Sequence, residues 1–530
     1  MTLLPTPHAT MKTNHVAIIG GGPAGIAAAK SLLEDGLTPV LIEQSNSIGG
    51  QWNQGAAHSG IWPNMPANSC HIKMSFSDYE YPAGTPMFPT NQQVLAYLTG
   101  YARQFGVDAH VRLNTRVELI SRGPAGQYVI WTVNRDGERR TEVFSHVIVA
   151  TGRYNKPRYP STPGLDHFRG RVLHSFDYRG REAFTGKRVL VVGNSISGLE
   201  IASDLAFDDS ITVISSSRKP RYIVRKLMNG MPTDEAVLTR FGAYVNQVLP
   251  PHEAAAGLKQ LVLDACGNPA DFGGLRPADS IMEAGISQCH DYLAQVADGR
   301  IQTVRGIQGF TPTGAILSDG IEVEADVVLL ATGYDLHLPF VSEDIRQTVR
   351  AGREHLELHD FTFHPDLPNF AFMGLYQQIG SYFVTAELQA RWIAACWSGA
   401  CPQPSTEEMA AGVAASQHFN QFRGMATCQE VAEKLSANLG VAPTLDHYPD
   451  LVRELFFGLL APSQFRLEGH GRQPDARARF ERTSRHFTAG QPVPLNEQQI
   501  GGLMMLASKL PEHAALQRVA QQLQPEPVEA

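Results

Sequence analysis

Three glycines near the beginning of the chain could hold a phosphorylated cofactor. Gly20, Gly22 and Gly25 fill the pattern Gly-x-Gly-x-x-Gly between an apolar run and an alanine-rich segment. In such a turn one glycine makes the bend, one lets the backbone approach a pyrophosphate, and one lets the helix pack on the strand. A second apolar run ends at Glu43, near the separation of about 20 residues expected for an acid that binds a ribose hydroxyl. We therefore predict a dinucleotide-binding unit with these contacts: Gly20, Gly22, Pro23, Ala24, Gly25 and Glu43.

A second turn of related pattern lies farther along the chain. Gly193, Ser195 and Gly198 give Gly-x-Ser-x-x-Gly, again between an apolar run and a helix-like segment. Serine at the middle position leaves less room for the backbone to approach a phosphate than glycine does. We predict a second nucleotide site whose turn contacts are Gly193, Ser195, Ser197 and Gly198.

The strand after the second turn indicates which nucleotide binds there. It ends in the run Ser215-Ser216-Ser217-Arg218-Lys219 and carries no acid. An acid would repel a ribose 2′-phosphate, whereas hydroxyls and a guanidinium bind one, so the site is expected to prefer NADPH to NADH. The predicted phosphate ligands are Ser216 and Arg218, and we interpret Arg221, Arg225 and Lys226 as a solvated basic loop.

The two turns require strands and helices that alternate, which predicts an α/β fold with two Rossmann-like dinucleotide-binding domains. Two similar apolar runs, 147–152 and 327–334, contain the same Ala-Thr-Gly and bracket the second unit. We interpret them as a strand that leaves a discontinuous FAD domain and a strand that returns to it, with the NADPH domain inserted. The predicted divisions are 12–165 and 326–430 for the FAD domain, 166–325 for the NADPH domain with a helical insertion at about 228–280, and 431–530 for an accessory helical region.

Composition limits the classes of partner. The chain has 530 residues, 43% of them hydrophobic and 18% charged, which is ordinary for a globular enzyme with several domains. A net charge of −8 with dispersed basic residues disfavours nucleic acid. The apolar runs are shorter than the roughly 20 residues of a membrane-spanning helix, and residues 1–13 lack the pattern of a secretory signal. We expect a cytoplasmic protein without membrane attachment.

The cysteines do not indicate disulfide or metal chemistry. The six cysteines are scattered, and no Cys-x-x-Cys pair is present, as a flavin disulfide reductase would require beside its flavin. Cys396 and Cys401 are spaced Cys-x4-Cys far from the first turn, which we interpret as accidental. No metal site is predicted.

A further motif lies between the two turns. Phe168, Gly170, His174 and Tyr178 fill the pattern Phe-x-Gly-x-x-x-His-x-x-x-aromatic, and with it the chain resembles the flavin-containing monooxygenases, a group that includes Baeyer–Villiger and N-hydroxylating relatives. The resemblance extends to about residue 480. It is carried also by Gly49-Gly50-Gln51-Trp52, Ala67-Asn68-Ser69, Leu330-Ala-Thr-Gly-Tyr334, Glu387-Leu-Gln-Ala-Arg-Trp392 and Gln464-Phe-Arg-Leu-Glu-Gly-His-Gly-Arg472.

The resemblance implies a monooxygenase similar to N,N-dimethylaniline monooxygenase that uses FAD, NADPH and O2. NADPH would reduce the flavin, whose C4a hydroperoxide would oxygenate a nitrogen or sulfur atom of a small molecule. Asn68 would be the catalytic residue, as a hydrogen-bonding orienter. The resemblance also implies the following cofactor contacts: Gln51, Trp52, Asn68, Ser69, His174, Thr332, Gly333 and Tyr334.

Two alternatives stay open at this point. Baeyer–Villiger oxygenation of a ketone needs an arginine at the peroxide, and that version of the motif usually ends in tryptophan, whereas this one ends in Tyr178. A non-catalytic flavin and NADPH sensor is the second alternative. The family further implies a homodimer. Membrane-associated members end in an apolar anchor, whereas residues 516–527 predict a polar helix and tail.

Overall fold

The computed structural model describes residues 15–124 and 126–523, so the expectations for residues 1–13 and for the tail after 523 fall outside it.

A first sheet of five strands lies under the first glycine turn. Neighbouring strands of the sheet are all parallel, and both faces are covered, which suits their apolar sequences. The strands lie in the order Val111–Arg112, Thr38–Ile42, His15–Ile19, His146–Val149 and Phe370–Phe372.

The helix after the first turn, Pro23–Glu34, packs between this sheet and the long helix Tyr382–Ser398. Proline at its first position and the alanines that follow favour helix initiation and close packing. Tyr382–Ser398 is buried along almost its whole length, because Cys428–Leu439 covers its other side. Further helices of this part of the molecule are Asn91–Gln104, Glu343–Thr348 and Thr406–Phe422.

A second sheet of five parallel strands lies under the second turn. Its turn helix is Ile196–Leu205, and the short helix Tyr292–Ala297 packs beside it. The strands lie in the order Ile301–Arg305, Thr212–Ser217, Arg188–Val192, Val327–Leu330 and Arg171–His174. The prediction of a mixed α/β protein with parallel sheets is confirmed.

One predicted strand belongs to a different sheet. Val327–Leu330 was expected to return to the first sheet, but it pairs with Arg188–Val192 and Arg171–His174 in the second. The strand that does return is Phe370–Phe372, next to His146–Val149. An apolar parallel strand fits either buried sheet equally well, so only tertiary pairing distinguishes the two places. The expectation that Val327–Leu330 belongs to the first sheet is therefore wrong.

Each five-stranded sheet has an antiparallel three-stranded sheet inserted before its Ala-Thr-Gly strand. The first is Thr115–Arg122, Tyr128–Asn134 and Arg139–Phe144, and the second is Ile307–Thr311, Gly314–Leu317 and Glu322–Glu324. Four two-stranded pairs complete the strands of the described chain: Lys156–Pro157 with Tyr334–Asp335, Tyr222–Val224 with Ile286–Gln288, Leu227–Met228 with Met231–Pro232, and Gln378–Ile379 with Ala426–Thr427.

The region predicted as a helical insertion contains the helices Thr233–Val237, Arg240–Val248 and Pro251–Cys266, and the short helix Ile281–Ala284 follows it. The pair Pro250-Pro251 begins the longest of them, since proline suits the first helical turn. Arg240–Val248 packs against Arg453–Phe457, with the Phe241 and Phe457 ring centroids 4.9 Å apart.

The C-terminal region ends in the helices Ala476–Ser484, Glu497–Lys509 and Ala514–Gln522. They share an apolar core with Cys70 and Ile72 from the first part of the chain. No helix in the described part of the chain combines the length and hydropathy that a membrane crossing requires.

Candidate active site

The first glycine turn has the geometry that a pyrophosphate seat requires. Gly20 has φ +108°, and a Cβ there would come 2.7 Å from the carbonyl oxygen of Ala150. A Cβ on Gly25 would lie 1.9 Å from the oxygen of Gly20, so the helix packs on the strand only because Gly25 has none. At Gly22 the nearest atom to such a Cβ is 3.6 Å away, which leaves this side of the turn open for a ligand. The first amides of the helix are free to bind an anion there.

Glu43 lies at the end of the neighbouring strand and is fixed by two backbone amides. Gly21 donates to its Oε2 and Ser45 to its Oε1, both at 2.7 Å. The residue is only 3% exposed. Each carboxylate oxygen keeps a further lone pair, so Glu43 can still accept a bond from a ribose hydroxyl.

The turn at Gly49-Gly50-Gln51-Trp52 covers the first glycine turn. Gly49 donates to the Gly21 carbonyl at 2.8 Å, and a Cβ on Gly50 would lie 2.8 Å from the Cα of Gly22. Gln51 Nε2 donates to the Tyr154 carbonyl at 3.0 Å. Trp52 packs on the main core, the apolar cluster that includes the helices Pro23–Glu34 and Tyr382–Ser398. The structure thus places the loop that carries the predicted contacts Gln51 and Trp52 over the first glycine turn, beside Pro23 and Ala24.

The second turn repeats the first. Gly193 has φ +117°, and its Cβ would lie 2.5 Å from the oxygen of Ala331. A Cβ on Gly198 would lie 2.0 Å from the oxygen of Gly193. Ser195 precedes the helix, is exposed, and makes no capping bond, and Ser197 is half-buried in its first turn. Both hydroxyls are therefore available at the helix N-terminus.

Ser216 does not present its hydroxyl to this turn. The side chain is 1% exposed and donates to the Arg305 carbonyl at 2.8 Å, while its own carbonyl accepts from the Gly193 amide. Since strand residues alternate in direction, the next residue, Ser217, has the place that Glu43 has in the first unit. The backbone bonds show this, because Gly20 donates to Ile42, the residue before Glu43. The Ser216 hydroxyl, predicted to bind the phosphate, is thus bonded to the Arg305 carbonyl instead, and Ser217 is the residue that corresponds to Glu43.

Arg218 is exposed beside the end of this strand. Its side chain passes over Gly306, where a Cβ would come 2.7 Å from the Arg218 Cγ. The basic residues that follow are not the solvated loop that was expected. Lys226 is buried and pairs with Glu200 at 3.1 Å, and burial lowers the pKa of the Arg221 guanidinium.

Asn68 lies in a loop that the main core holds. Ala67 is buried in the core cluster that contains Ile48 and against which Trp52 packs. The Asn68 Oδ1 is buried and has no hydrogen-bond partner within residues 15–124 and 126–523. Ser69 is 9% exposed. A buried polar atom without a partner is costly, so this amide fits the edge of a bound polar ligand.

The two Ala-Thr-Gly segments have different roles. Thr332 Oγ1 donates to the Arg158 carbonyl at 2.5 Å, and the Arg158 amide donates to the Gly333 carbonyl at 2.9 Å. Thr332 and Gly333 therefore join the two connections between the sheets. Thr151 lies against Gly20, and its buried hydroxyl has no partner in the described chain. Sequence reasoning selected Thr332 and missed Thr151, although the repeated motif signalled both.

Asn53 is a second residue that sequence reasoning missed. It follows the Gln51–Trp52 turn and its Nδ2 is buried without a partner among the described residues. With Thr151, it leaves two unpaired polar atoms near the first turn among the described residues, and Asn68 has a third in the loop that follows Asn53. The glycine seat, Glu43 and these atoms fit a dinucleotide such as FAD, and the second turn with Ser217 and Arg218 fits NADPH.

The motif from Phe168 to Tyr178 connects the two units. His174 is fully buried, accepts from the Phe176 amide at 3.1 Å, and packs edge-on against Tyr334 with centroids 5.2 Å apart. Burial lowers its pKa, which favours a neutral ring. Arg179 donates to the Ser59 carbonyl at 3.2 Å. Tyr334 also approaches the loop after Trp52, because a Cβ on Gly60 would lie 3.4 Å from its hydroxyl, and His174 pairs with Leu330 in the second sheet.

Tyr178 ends the same motif. It is buried, its hydroxyl donates to Asp204 on the second-turn helix, and burial raises its pKa. Its ring packs edge-on against Trp62 with centroids 5.4 Å apart. The motif thus fixes the second unit against the first.

The two C-terminal motifs meet each other in the core. Arg466, 1% exposed, pairs with Glu387 at 3.2 Å and also approaches Asp78 at 3.6 Å. Arg391 donates to the carbonyl of Phe465 at 3.0 Å. These charged groups hold the segment after residue 462 on the first unit.

The cysteines of the described chain are all free and buried. Cys396 and Cys401 both donate to the Pro402 carbonyl, at 3.6 and 3.4 Å, in the core behind the first sheet. No group of ligating side chains is arranged for a metal in the described ranges.

Comparisons with known proteins show which family the chain matches. The flavin-binding monooxygenase-like family model matches residues 13–491. Flavin-containing monooxygenase 3 of Macaca mulatta is 33% identical over 87% of this chain and 90% of that protein. Flavin-containing monooxygenase 5 of Cavia porcellus is 30% identical over 88% of this chain and 91% of that protein.

Among solved structures, S-allyl-L-cysteine S-oxygenase from Allium sativum is similar in fold, with a TM-score of 0.60 and 24% identity over 81% of this chain and 89% of that one. The open form of cyclohexanone monooxygenase has a TM-score of 0.61 and 18% identity over 81% of this chain and 98% of that one. The family match and the curated relatives span nearly the whole length of the protein, and the chain therefore belongs to the flavin-binding monooxygenase-like family, as an FAD-dependent enzyme that uses NADPH.

Proposed function

We propose that this enzyme oxygenates a nitrogen or sulfur atom of a small organic molecule, with O2 as the oxygen source and Asn68 as the hydrogen-bonding group at the reacting centre. The observation that carries the proposal is the buried, unpartnered Oδ1 of Asn68 in the core that holds the first turn. An amide orients a polar group without removing its proton. A soft nucleophile needs no protein base, so a neutral residue suits its oxygenation.

On the FAD side, the open face of Gly22 and the first helix amides receive the pyrophosphate, and Glu43 accepts a ribose hydroxyl. The bound flavin supplies the activation of dioxygen, with electrons that come from NADPH. Asn53 and Thr151 supply further hydrogen bonds around the turn, since each has a polar atom without another partner in the described chain.

On the NADPH side, the Gly193–Gly198 turn receives the pyrophosphate and Ser195 and Ser197 supply hydroxyls. Arg218, with Ser217, binds the ribose 2′-phosphate. The absence of a carboxylate at residue 217, where the first unit has Glu43, supports a preference for NADPH.

The chain divides accordingly into an FAD-binding domain and an NADPH-binding domain. The first sheet, with segments before residue 166 and from about 334 to 430, forms the FAD-binding domain. The second sheet, including Val327–Leu330, forms the inserted NADPH-binding domain. The paired connections Lys156–Pro157 and Tyr334–Asp335 lie where the chain passes between them.

Oxygenation of methyl phenyl sulfide, N,N-dimethylaniline and cyclohexanone by the purified holoenzyme tests the reaction type. We expect sulfoxide and N-oxide to form, each coupled to NADPH consumption, and little lactone. Lactone as the main product would replace this proposal with Baeyer–Villiger oxygenation.

The Asn68→Ala variant tests the residue. It should still oxidise NADPH, but with most of the reducing equivalents released as hydrogen peroxide, because the amide no longer orients the reacting groups. Coupling equal to that of the wild type would remove Asn68 from the reaction.

A further inference from the structure

The insertion of the second unit contacts the loop that carries Asn68. Asp234, 6% exposed, accepts a hydrogen bond from the Cys70 amide at 3.3 Å. Its backbone carbonyl accepts one from Lys73 Nζ at 2.8 Å, and the same amine donates to the Leu238 carbonyl at 3.4 Å. The helix Thr233–Val237 is thus bound to the chain two to five residues after Asn68.

Backbone contacts decide where the Asn68 amide lies, because its own Oδ1 has no partner in the part of the chain that the structure describes. On one side of the loop, Ala67 donates to the Pro89 carbonyl and His71 to the Met87 carbonyl, both at 2.8 Å. On the other side the bonds come from the insertion. Removing the second set leaves the loop held from one side only.

The segment just before the insertion is also bound to the helix of the second glycine turn. Lys226 and Glu200 form a buried ion pair at 3.1 Å, and Glu200 lies on the helix Ile196–Leu205 that begins after Ser195. The Lys226 carbonyl accepts from the Thr233 amide at 2.9 Å, and Asp234 follows directly. A buried pair with satisfied neighbours holds one geometry, so contacts run continuously from the second turn to the Asn68 loop.

We propose that Asp234 is a positioning residue for oxygenation, which holds the Asn68 loop in register with the NADPH-binding turn. This inference rests on the role proposed above for Asn68. Asp234 acts through the Cys70 amide and does not touch the reacting atoms. A displacement of about 1 Å at a reacting group can cost up to about 100-fold in rate, so one lost contact suffices for a measurable effect.

The test compares Asp234→Ala with Asp234→Asn, which keeps an oxygen acceptor for the Cys70 amide. The control is Asp271→Ala, at an exposed acid of the same insertion. Flavin content, kcat and KM for NADPH, and the ratio of hydrogen peroxide to sulfoxide with methyl phenyl sulfide are measured for each holoenzyme. We expect Asp234→Ala to lower sulfoxide kcat about 10-fold and to raise the peroxide ratio, with KM for NADPH changed less than about twofold.

Asp234→Asn should recover most of the coupling, and Asp271→Ala should match the wild type. If Asp234→Ala retains no flavin, Lys73→Met decides, since it removes the two bonds from the Lys73 amine to the insertion and should uncouple the reaction likewise. The inference is overturned if the folded variants at Asp234 and Lys73 couple NADPH oxidation to sulfoxide formation as well as the wild type does. The inference alone fails if Asn68→Ala uncouples and these variants do not, whereas coupled turnover by Asn68→Ala shows that the role of Asn68 itself is wrong.

Discussion

The two glycine turns have the same backbone geometry, but the strands beside them end in different side chains. Gly20 and Gly193 both have positive φ and both lie against an alanine carbonyl, of Ala150 and Ala331, at distances that admit no Cβ. Beside the first turn the strand ends in buried Glu43. Beside the second it continues into Ser217 and exposed Arg218. Under the proposed assignment, the turn provides a seat for a pyrophosphate, whereas the end of the strand selects the ribose that accompanies it.

The units also differ in what covers them. The first turn is closed by its own loop at Gly49–Trp52, with backbone contacts that only glycine permits. The second unit carries the helical insertion, which reaches across to the loop of Asn68. One turn is therefore closed locally, and the other unit extends over the first.

Alanine in place of the third glycine of each turn should have the largest effect. Each substitution should remove the binding of one cofactor and leave the other cofactor bound. Gly25→Ala places a Cβ 1.9 Å from the Gly20 oxygen, and Gly198→Ala places one 2.0 Å from the Gly193 oxygen. Each clash should cost about 3 kcal/mol, the upper end of the usual range for overpacking, because the atom that is met belongs to the backbone. We expect Gly25→Ala to be purified without flavin, and Gly198→Ala to retain flavin but lose reduction by NADPH, as followed by flavin absorbance.

The control for these variants is Gly257→Ala on the exposed insertion helix, where a Cβ meets nothing within 4 Å. It should leave both cofactors bound. Loss of flavin in Gly198→Ala with retention in Gly25→Ala would reverse the assignment of the two units.

The insertion of the second unit contains a titratable acid, Glu235, whose effect on stability should depend on pH. Burial raises the pKa of Glu235 to about 7, although Lys73 and Arg453 lower it in part. A carboxyl with a raised pKa makes the folded state less stable as pH rises from its unfolded value of 4.5 through about 7. Glu235→Gln removes this loss, and its gain in unfolding free energy over the wild type should grow by about 3 kcal/mol between pH 4.5 and pH 8.

Urea unfolding at the two pH values measures this difference, with the exposed Glu253→Gln as a matched control. A gain that is equal at both pH values would mean that Glu235 is solvated like an ordinary surface acid.

Arg218→Ala tests the selection of the nucleotide. Loss of one charged hydrogen bond to the 2′-phosphate should raise KM for NADPH by about 1.5–3 kcal/mol in binding, or roughly 10- to 150-fold, with little change for NADH. Ser217→Glu should shift the preference in the same direction, because it gives the second unit the acid of the first. Lys219→Ala, at the next exposed position, should have a smaller effect. Equal changes for both nucleotides would place the phosphate elsewhere.

Glu43→Gln is the mildest change at the first turn. Glutamine keeps one acceptor for the Gly21 or Ser45 amide but lacks the charge, so flavin binding should weaken by about 1 kcal/mol. Reconstitution of the apoprotein with FAD measures the dissociation constant, and KM for NADPH should stay unchanged. A larger effect on NADPH than on FAD would contradict the division between the units.

Sequence reasoning found the local features well and the long-range ones less well. Both glycine turns follow from spacing, because the steric demand for a missing Cβ is local. The sheet that contains Val327–Leu330 could not be inferred, since an apolar parallel strand fits either buried sheet. Ser216 was chosen over Ser217 because only the register of the strand tells which hydroxyl is turned inward.

Lys226 shows the same limit for charges. A lysine in a basic run is ordinarily solvated, but here Glu200, distant in sequence, pairs with it in a buried place. The partner that decides the state of a charged side chain is supplied by folding.

By itself the sequence predicted two nucleotide sites and the preference of each, and it determined the resemblance to flavin-containing monooxygenases, because spacing and residue type express those requirements directly. Only the tertiary structure decided which strand completes which sheet, that Thr151 is unpaired while Thr332 is bonded, and that Asp234 holds the loop of Asn68. These depend on contacts between residues far apart in the chain, which packing and hydrogen bonding select only when the two units come together.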